Sequence, residues 1–278
     1  MNEFKSFYKT VKGGEGDKCH YPTRLDPYGK GCHYDCTYCY AKKLLDFRKL
    51  WHPDNVAVAD KEKITKRIQK IEPGSVVRLG GMTDPFQPIE MSKGNTYHTI
   101  RELNRQSVHY LIVTKSPLVA TQKYLNILNK ELAHIQVSVP TTNDKVLEMT
   151  DNAPPYNARI KAIERLEREG YDVSIRLSPF LYETADYDLL NKVRVSKCLV
   201  EFLRVTPSLM EKMKPYITTE KYKHKEGGYR HLTLEEKQKA LQNLKYEEIS
   251  VCDDVQEHYE YWEQHYNPNP RDCCNLRL

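Results

Sequence analysis

Short apolar runs alternate with amphipathic stretches along most of the chain. Thr23-Arg24-Leu25, Val76-Val77-Arg78-Leu79, His109 to Thr114, Ile135 to Val139, Val173 to Leu177 and Cys198 to Val205 each read as a strand. Between them, apolar positions recur at helical spacing. The predicted helices are Ala41 to Leu50 (Leu44, Leu45, Phe47 and Leu50 apolar), Ser92 to about Arg105 with Ser92 as N-cap, and residues 118–130 after Pro117. Residues 156–169, ended by Gly170, residues 186–195 and residues 233–243 complete the set. Alternation at this pitch predicts an α/β fold, a parallel sheet with crossover helices. Six strands are too few for a closed eight-stranded barrel, and in barrels of this kind the chemistry sits at the C-terminal strand ends.

A chain of 278 residues suits one large α/β domain, or one domain with an appendage. No apolar run approaches a membrane span, and Met1-Asn2-Glu3-Phe4-Lys5 lacks a signal-peptide core, so a soluble, cytoplasmic protein without a membrane partner is expected. The formal charge of +5 permits a polyanionic partner without demanding one. Residues 1–18, polar and carrying Gly13, Gly14 and Gly16, predict a flexible arm. Residues 19–206 hold the strand–helix core. Residues 207–278 change character and predict a small C-terminal extension that binds substrate or an auxiliary metal. Lys212, Lys214, Lys221, Lys223, Lys225 and Arg230 crowd its first part, and Glu247 to Glu263 is acidic and aromatic.

Eight cysteines in such a chain read as metal ligands before disulfides. Three of them, Cys32, Cys36 and Cys39, stand at C-x3-C-x2-C spacing in Cys32-His33-Tyr34-Asp35-Cys36-Thr37-Tyr38-Cys39. Soft thiolates that close together suit an iron–sulfur cluster or zinc. A cubane with three protein ligands keeps one iron open for a small molecule. Structural zinc wants four ligands, and here His33 or the distant Cys19 would supply the fourth.

The spacing, with Tyr38 just before the third cysteine, resembles the signature of the radical S-adenosylmethionine (SAM) enzymes. Several further stretches are similar to the spore photoproduct lyase-like branch. They are Asp26-Pro27-Tyr28-Gly29-Lys30-Gly31, Tyr40-Ala41, Thr83-Asp84-Pro85-Phe86-Gln87-Pro88, Thr114-Lys115-Ser116-Pro117 and Asp151 to Pro179, spanning roughly residues 20–205. The resemblance implies an open (β/α)6 partial barrel of the TIM type and a 4Fe–4S cluster on Cys32, Cys36 and Cys39. It also implies SAM on the open iron and an external electron donor of the flavodoxin or ferredoxin type. Reductive cleavage of SAM then supplies a 5′-deoxyadenosyl radical that abstracts hydrogen from substrate. By motif position, Gly80, Gly81, Met82, Thr83 and Asp84 bind the SAM amino group, the alternative being a glycine turn with an Asx-type cap. Lys115 pairs with the SAM carboxylate, Ser138 meets the ribose or carboxylate, and Tyr38 packs on the adenine. Arg176, inside a strand, needs an anion, either a bound carboxylate or a structural ion pair.

Cys252, Cys273 and Cys274, with Cys19 or Cys198 as a fourth, are candidates for an auxiliary iron–sulfur cluster. A zinc site with His258 or His265, or simple buried cysteines, are the alternatives. Cys198 is also a weak candidate for a hydrogen-atom donor, no catalytic residue being otherwise assigned. Tyr216, Tyr222, Tyr229, Tyr246, Tyr259, Tyr261 and Tyr266, with the nearby lysines, suggest a base-stacking, phosphate-binding surface. The leading expectation is therefore a lyase- or oxidoreductase-type radical SAM enzyme acting on a DNA or nucleotide lesion or a modified base. The rivals are a radical SAM enzyme acting on a peptide or small metabolite, and a non-catalytic, zinc-stabilised nucleic-acid-binding protein.

Overall fold

A computed structural model describes residues 4–9 and 19–278. Its strands, in chain order, are β1 (Phe7–Lys9), β2 (Thr23–Leu25), β3 (Tyr28–Gly29), β4 (Ala57–Val58), β5 (Val76–Leu79) and β6 (His109–Thr114). They continue with β7 (Ala133–Ser138), β8 (Asp172–Phe180), β9 (Lys197–Phe202), β10 (His224–Glu226), β11 (Tyr229–His231) and β12 (Glu248–Val251). Eight form one sheet in the order β1-β2-β5-β6-β7-β8-β9-β12, while β3 with β4 and β10 with β11 make two small ribbons. From β2 to β12 every neighbouring pair is parallel, and β1 lies antiparallel on β2. Its edge strands stay unpaired with each other, so the barrel is open.

All six predicted strands form, and the sheet gains one strand at each end. At one end is β1, inside the segment predicted as an arm. Tyr8 donates to Asp26 at 2.8 Å, and the Asp26 amide donates to the Ser6 carbonyl at 2.9 Å, which ties the segment to β2. The rest of that predicted arm, residues 1–3 and 10–18, lies outside the described residues. At the other end is β12, which comes from the predicted extension: Ile249 pairs with Cys198 and Val251 with Val200. Residues 207–278 thus complete the sheet as well as extending it.

Register decides which side chains meet the helices and which line the concave face. Leu25, Leu79, Ile112, Ile135 and Val173 lie side by side across five strands and pack into the main core beneath the helices. One residue away on each strand the side chain points to the opposite face. Arg24 pairs with Arg78, Arg78 with Leu111, Ser138 with Arg176 and Arg176 with Leu199. Leu111, Leu199 and Cys274 fall in one buried cluster with Tyr21, although β6 and β9 are three strands apart, so this face curls inward.

Helices follow local chemistry. Asp60 caps Lys61–Ile68 by accepting the Lys63 amide at 2.9 Å, with Ile64 and Ile68 buried one turn apart. Tyr156–Arg168 and Leu234–Leu241 lie close to their predicted ranges, the latter capped by Thr233. Tyr40–Asp46 is shorter than predicted. The predicted helix from Ser92 is split by Gly94 at φ 62°, leaving one turn, Glu90–Lys93, and then Asn95–Arg105; Ser92 sits inside the first piece and caps nothing. Residues 118–130 likewise break into a 3-10 turn, Pro117–Ala120, and a single turn, Gln122–Leu125, because Thr121 is extended and its hydroxyl donates to the Leu118 carbonyl at 2.8 Å. The predicted 186–195 helix is one turn, Tyr187–Leu190, capped by Asp186. No helix among the described residues is long and apolar enough to cross a membrane.

Candidate cofactor site

The cysteine loop leaves β3 and ends in the helix Tyr40–Asp46, over the C-terminal end of the sheet. Turns close it from within: the Asp35 amide donates to the Cys32 carbonyl at 3.0 Å, with Asp35 at φ 35°, and the Cys39 amide to the Cys36 carbonyl at 3.1 Å. Asp35 also accepts from Lys42 and from the Trp51 indole, both at 2.7 Å. The loop is pinned from outside by the Thr37 amide on the Thr150 carbonyl (2.8 Å) and the Asn152 amide on the Tyr34 carbonyl (2.9 Å). Cys39 is the helix N-cap, its sulfur accepting the Lys42 amide at 3.4 Å.

Cys32, Cys36 and Cys39 line one open cavity of about 120 Å3 with Gly80 to Asp84, Val113 to Lys115 and Ser138. Burial pushes the Cys32 and Cys39 thiols up and Cys36 to about 12, with Lys115 opposing at Cys36. Desolvated neutral thiols give up their protons when a metal supplies the missing positive charge.

The glycine loop after β5 is held from below. Asp26 accepts the amides of Gly81 and Met82, both at 2.8 Å, besides the Tyr8 hydroxyl. Gly80 has φ 88°, and a Cβ there would stand 2.3 Å from the Val113 carbonyl; at Gly81 a Cβ would stand 2.0 Å from the Tyr8 hydroxyl. Both glycines therefore answer the protein's own packing. Asp84 accepts from Thr114 Oγ1 (2.6 Å), the Lys115 amide (2.7 Å) and the Phe86 amide (2.8 Å), so its oxygens splice the end of β5 to the end of β6. Burial raises the Asp84 carboxyl and these donors oppose it. Thr83 donates to the Tyr28 carbonyl at 2.7 Å. Asp84 thus acts as the Asx-type cap, and as a positioning residue.

Other predicted residues are distributed less simply. Lys115 and Ser138 line the cavity, and the Lys115 ammonium lies 5.3 Å from the centre of the Tyr38 ring. Tyr38 itself is absent from the cavity wall; its hydroxyl donates to Asp151 at 2.5 Å, and Asp151 in turn takes Arg159 at 2.8 Å. Although burial raises the Asp151 carboxyl, Arg159 and Lys115 hold it below the usual carboxylate range. Arg176 also stands away from this cavity, on the concave face, where it bonds Gln136 at 2.7 Å and forms an ion pair with Glu201. Cys198 packs into the helix-facing core and does not line this cavity. Asp26, Asp151 and Arg159 are positioning residues that pattern reading missed. The signals for them were the family-like stretches that contain them, an acidic residue at a strand end and a charged pair bracketing Pro154-Pro155, none of which assigns a role.

Two observations bear on the zinc alternative. His33 Nδ1 and its amide both face Gln87 Oε1, at 2.9 and 3.0 Å, and Cys19 belongs to a different cluster. His258 lies 2.9 Å from Lys237, and the His265 ring lies 4.9 Å from the Tyr261 ring at a tilt of 47°. Among the described residues three thiols face the cavity and neither His33 nor Cys19 stands as a fourth ligand, the donor set that suits a cubane with an open iron.

The radical SAM superfamily model matches residues 27–192. The chain belongs to this superfamily. It is a radical SAM enzyme, and membership implies a 4Fe–4S cluster and SAM. Among solved structures, spore photoproduct lyase complexed with dinucleoside spore photoproduct shares 15% identity at a TM-score of 0.57, over 90% of this chain and 76% of the other. A mutant of that lyase with bound AdoMet and dinucleoside spore photoproduct gives 15% and 0.56, over 88% and 76%. Native anSMEcpe with bound AdoMet gives 12% and 0.52, over 80% and 59%. At such identities the likeness is one of fold: a mostly parallel open sheet of the radical SAM type. No curated protein matches the chain.

Proposed function

We propose that Cys32, Cys36 and Cys39 hold the 4Fe–4S cluster and that SAM binds across the same cavity, toward Gly80–Met82, Lys115 and Ser138. The observation that carries this reading is the single cavity that joins three buried thiols, a glycine-loop backbone and one ammonium at the C-terminal strand ends. When bound and reduced by an external flavodoxin- or ferredoxin-type donor, the cluster and SAM supply a 5′-deoxyadenosyl radical. The chain's own residues do the rest. Lys115 would neutralise the SAM carboxylate, Asp26 and Asp84 fix the loops, and Tyr34 and Trp51 line the cavity.

The substrate we infer is a nucleic acid lesion or modified base. Beside the cysteine helix stands the β10–β11 ribbon, turned by Gly227 and Gly228, both at positive φ. Tyr229 on it is flanked by the Lys43 ammonium at 4.9 Å and the Arg204 guanidinium at 4.8 Å, and Arg204 also lies 5.9 Å from Tyr40. Aromatic faces interleaved with cations suit stacked bases and phosphates. Exposed Lys43, Lys225 and Arg230 border the same ribbon. Lys221 does not contribute, because Glu183 and Tyr182 hold it at 2.9 and 3.0 Å.

Fluorescence anisotropy with a labelled single-stranded oligonucleotide tests the substrate class. K43E/K225E/R230E is expected to weaken binding about tenfold or more and to flatten the salt dependence, since each lost phosphate contact removes about 0.7 from the log–log slope. Equal affinity in wild type and variant would point to a peptide or small-metabolite substrate instead.

A further inference from the structure

We propose that Cys19, Cys252, Cys273 and Cys274 form a second, thiolate-ligated metal centre on the concave face of the sheet. The four come from three distant segments: Cys19 before β2, Cys252 just after β12, and the pair 273–274 near the end of the chain. They pack together with Tyr21, Leu111, Leu199 and Val113. Cys198, the other candidate fourth ligand, is excluded because it faces the helices.

Backbone and side-chain bonds aim these segments inward. Asp272 accepts the Tyr21 hydroxyl at 2.5 Å, the Cys274 amide at 2.9 Å and the Leu276 amide at 3.0 Å, which folds the tail against the approach to β2. Lys197 donates to the Asn275 carbonyl, and the Cys252 amide donates to Val200 at 2.9 Å. Cys273 comes beside both Cys252 and Cys274. Adjacent cysteines on an ordered tail thereby meet a third from another strand end.

Charge supplies the second, independent argument. Arg24, Arg78 and Arg176 all face this cluster. Arg24 lies 3.6 Å from the Cys19 sulfur, and Arg176 is flanked by Cys252, Cys273 and Cys274. Glu201 answers Arg176, and Asp26 lies near Arg24. Arg24 and Arg176 oppose the charge on Arg78, and the Tyr40 hydroxyl and Cys274 favour it. Nε of Arg24 and Nε of Arg78 are both buried without an acceptor. A buried guanidinium without an anion is costly. Four neutral thiols would leave that cost standing, whereas four thiolates on a metal carry net negative charge and remove it.

Among the described residues no three His, Cys, Asp or Glu side chains already stand as a bound ion would hold them. This is equally true of Cys32, Cys36 and Cys39, so it does not separate the two sites. Val113 lines the first cavity and packs in this cluster, which makes the centres neighbours. Iron–sulfur and zinc share the all-thiolate chemistry.

The proposal is tested by anaerobic reconstitution with iron and sulfide of wild type, C32A/C36A/C39A and C252S/C273S/C274S, followed by iron, sulfide and zinc analysis. C32A/C36A/C39A is expected to keep about four irons, or about one zinc, and C252S/C273S/C274S to lose that same share. A folded C32A/C36A/C39A free of all metal would overturn the second centre while leaving the first assignment intact. Metal retained in C32A/C36A/C39A decides the question even if the serine variant fails to fold. Undiminished total metal in C32A/C36A/C39A would instead count against the first site.

Discussion

Asp26, Asp84 and Asp151 each gather hydrogen bonds from segments far apart in sequence, and together they place the cavity wall. Asp26 holds the glycine loop, Asp84 joins two strand ends, and Asp151 links Tyr38 to Arg159. Within this frame Lys115 is, among the described residues, the cation that lines the cavity. Lys115→Met keeps the apolar stem and removes the charge, so SAM affinity is expected to fall about tenfold, about 1.4 kcal/mol. Iron content should stay unchanged. Isothermal titration on reconstituted protein reads both sides of this, and an unchanged affinity would take Lys115 out of the SAM site. The three cysteines, Lys115 and Ser138 were legible in the sequence because motif spacing and strand-end position point at them directly. Of the two anions offered for Arg176 the structure supplies the ion pair, with Glu201, and the Tyr38 hydroxyl meets Asp151, because a guanidinium or hydroxyl goes to whichever partner tertiary packing brings. Neither partner is marked by any local pattern.

At the scale of elements, buried Glu90 joins three pieces of chain. Its carboxylate takes the hydroxyls of Tyr28 and Tyr124 and the amides of Thr96 (2.8 Å) and Tyr97 (3.0 Å), thereby capping the helix Asn95–Arg105. Glu90→Ala strands those donors in the core and is expected to cost about 3 kcal/mol in urea unfolding of the cluster-free protein. A loss under about 1 kcal/mol would mean that water or repacking replaces it. Here too the legible part was periodicity. The apolar face of Asn95–Arg105 was visible, whereas its true start was not, since Gly94 in the left-handed region and a cap supplied from Glu90 override the Ser92 signal. Strand β12 escaped notice because four residues inside an acidic stretch carry too short an alternation to stand out.

For the whole molecule, the end of the chain returns to the base of the sheet. Asp172 receives His134 and Lys197, both at 2.6 Å, and the Arg277 amide at 3.1 Å. Burial alone would raise its carboxyl, but His134 and Lys197 hold it at about 2. A value depressed below the unfolded one, about 3.9, gives stability that is present above that pH and lost as pH falls toward 2. Asp172→Asn should therefore cost about 2 kcal/mol near neutrality, and the gap to wild type should narrow between about pH 4 and about pH 2. A gap constant over that range would show that packing, not charge, ties the tail down. The parallel sheet was legible from strand–helix alternation, and the open barrel from the resemblance to the radical SAM enzymes. The closure of the base by residues 272–278 was not, because it rests on contacts about a hundred residues apart.

Three cysteines in one cavity, on our proposal, make this chain a SAM-cleaving enzyme. The direct measurement is 5′-deoxyadenosine released from SAM under a strong reductant, by anaerobically reconstituted wild type and by C32A/C36A/C39A. Product from wild type and none from the folded variant is the predicted result. Iron-loaded wild type that releases no 5′-deoxyadenosine, or a variant that releases as much as wild type, would contradict it.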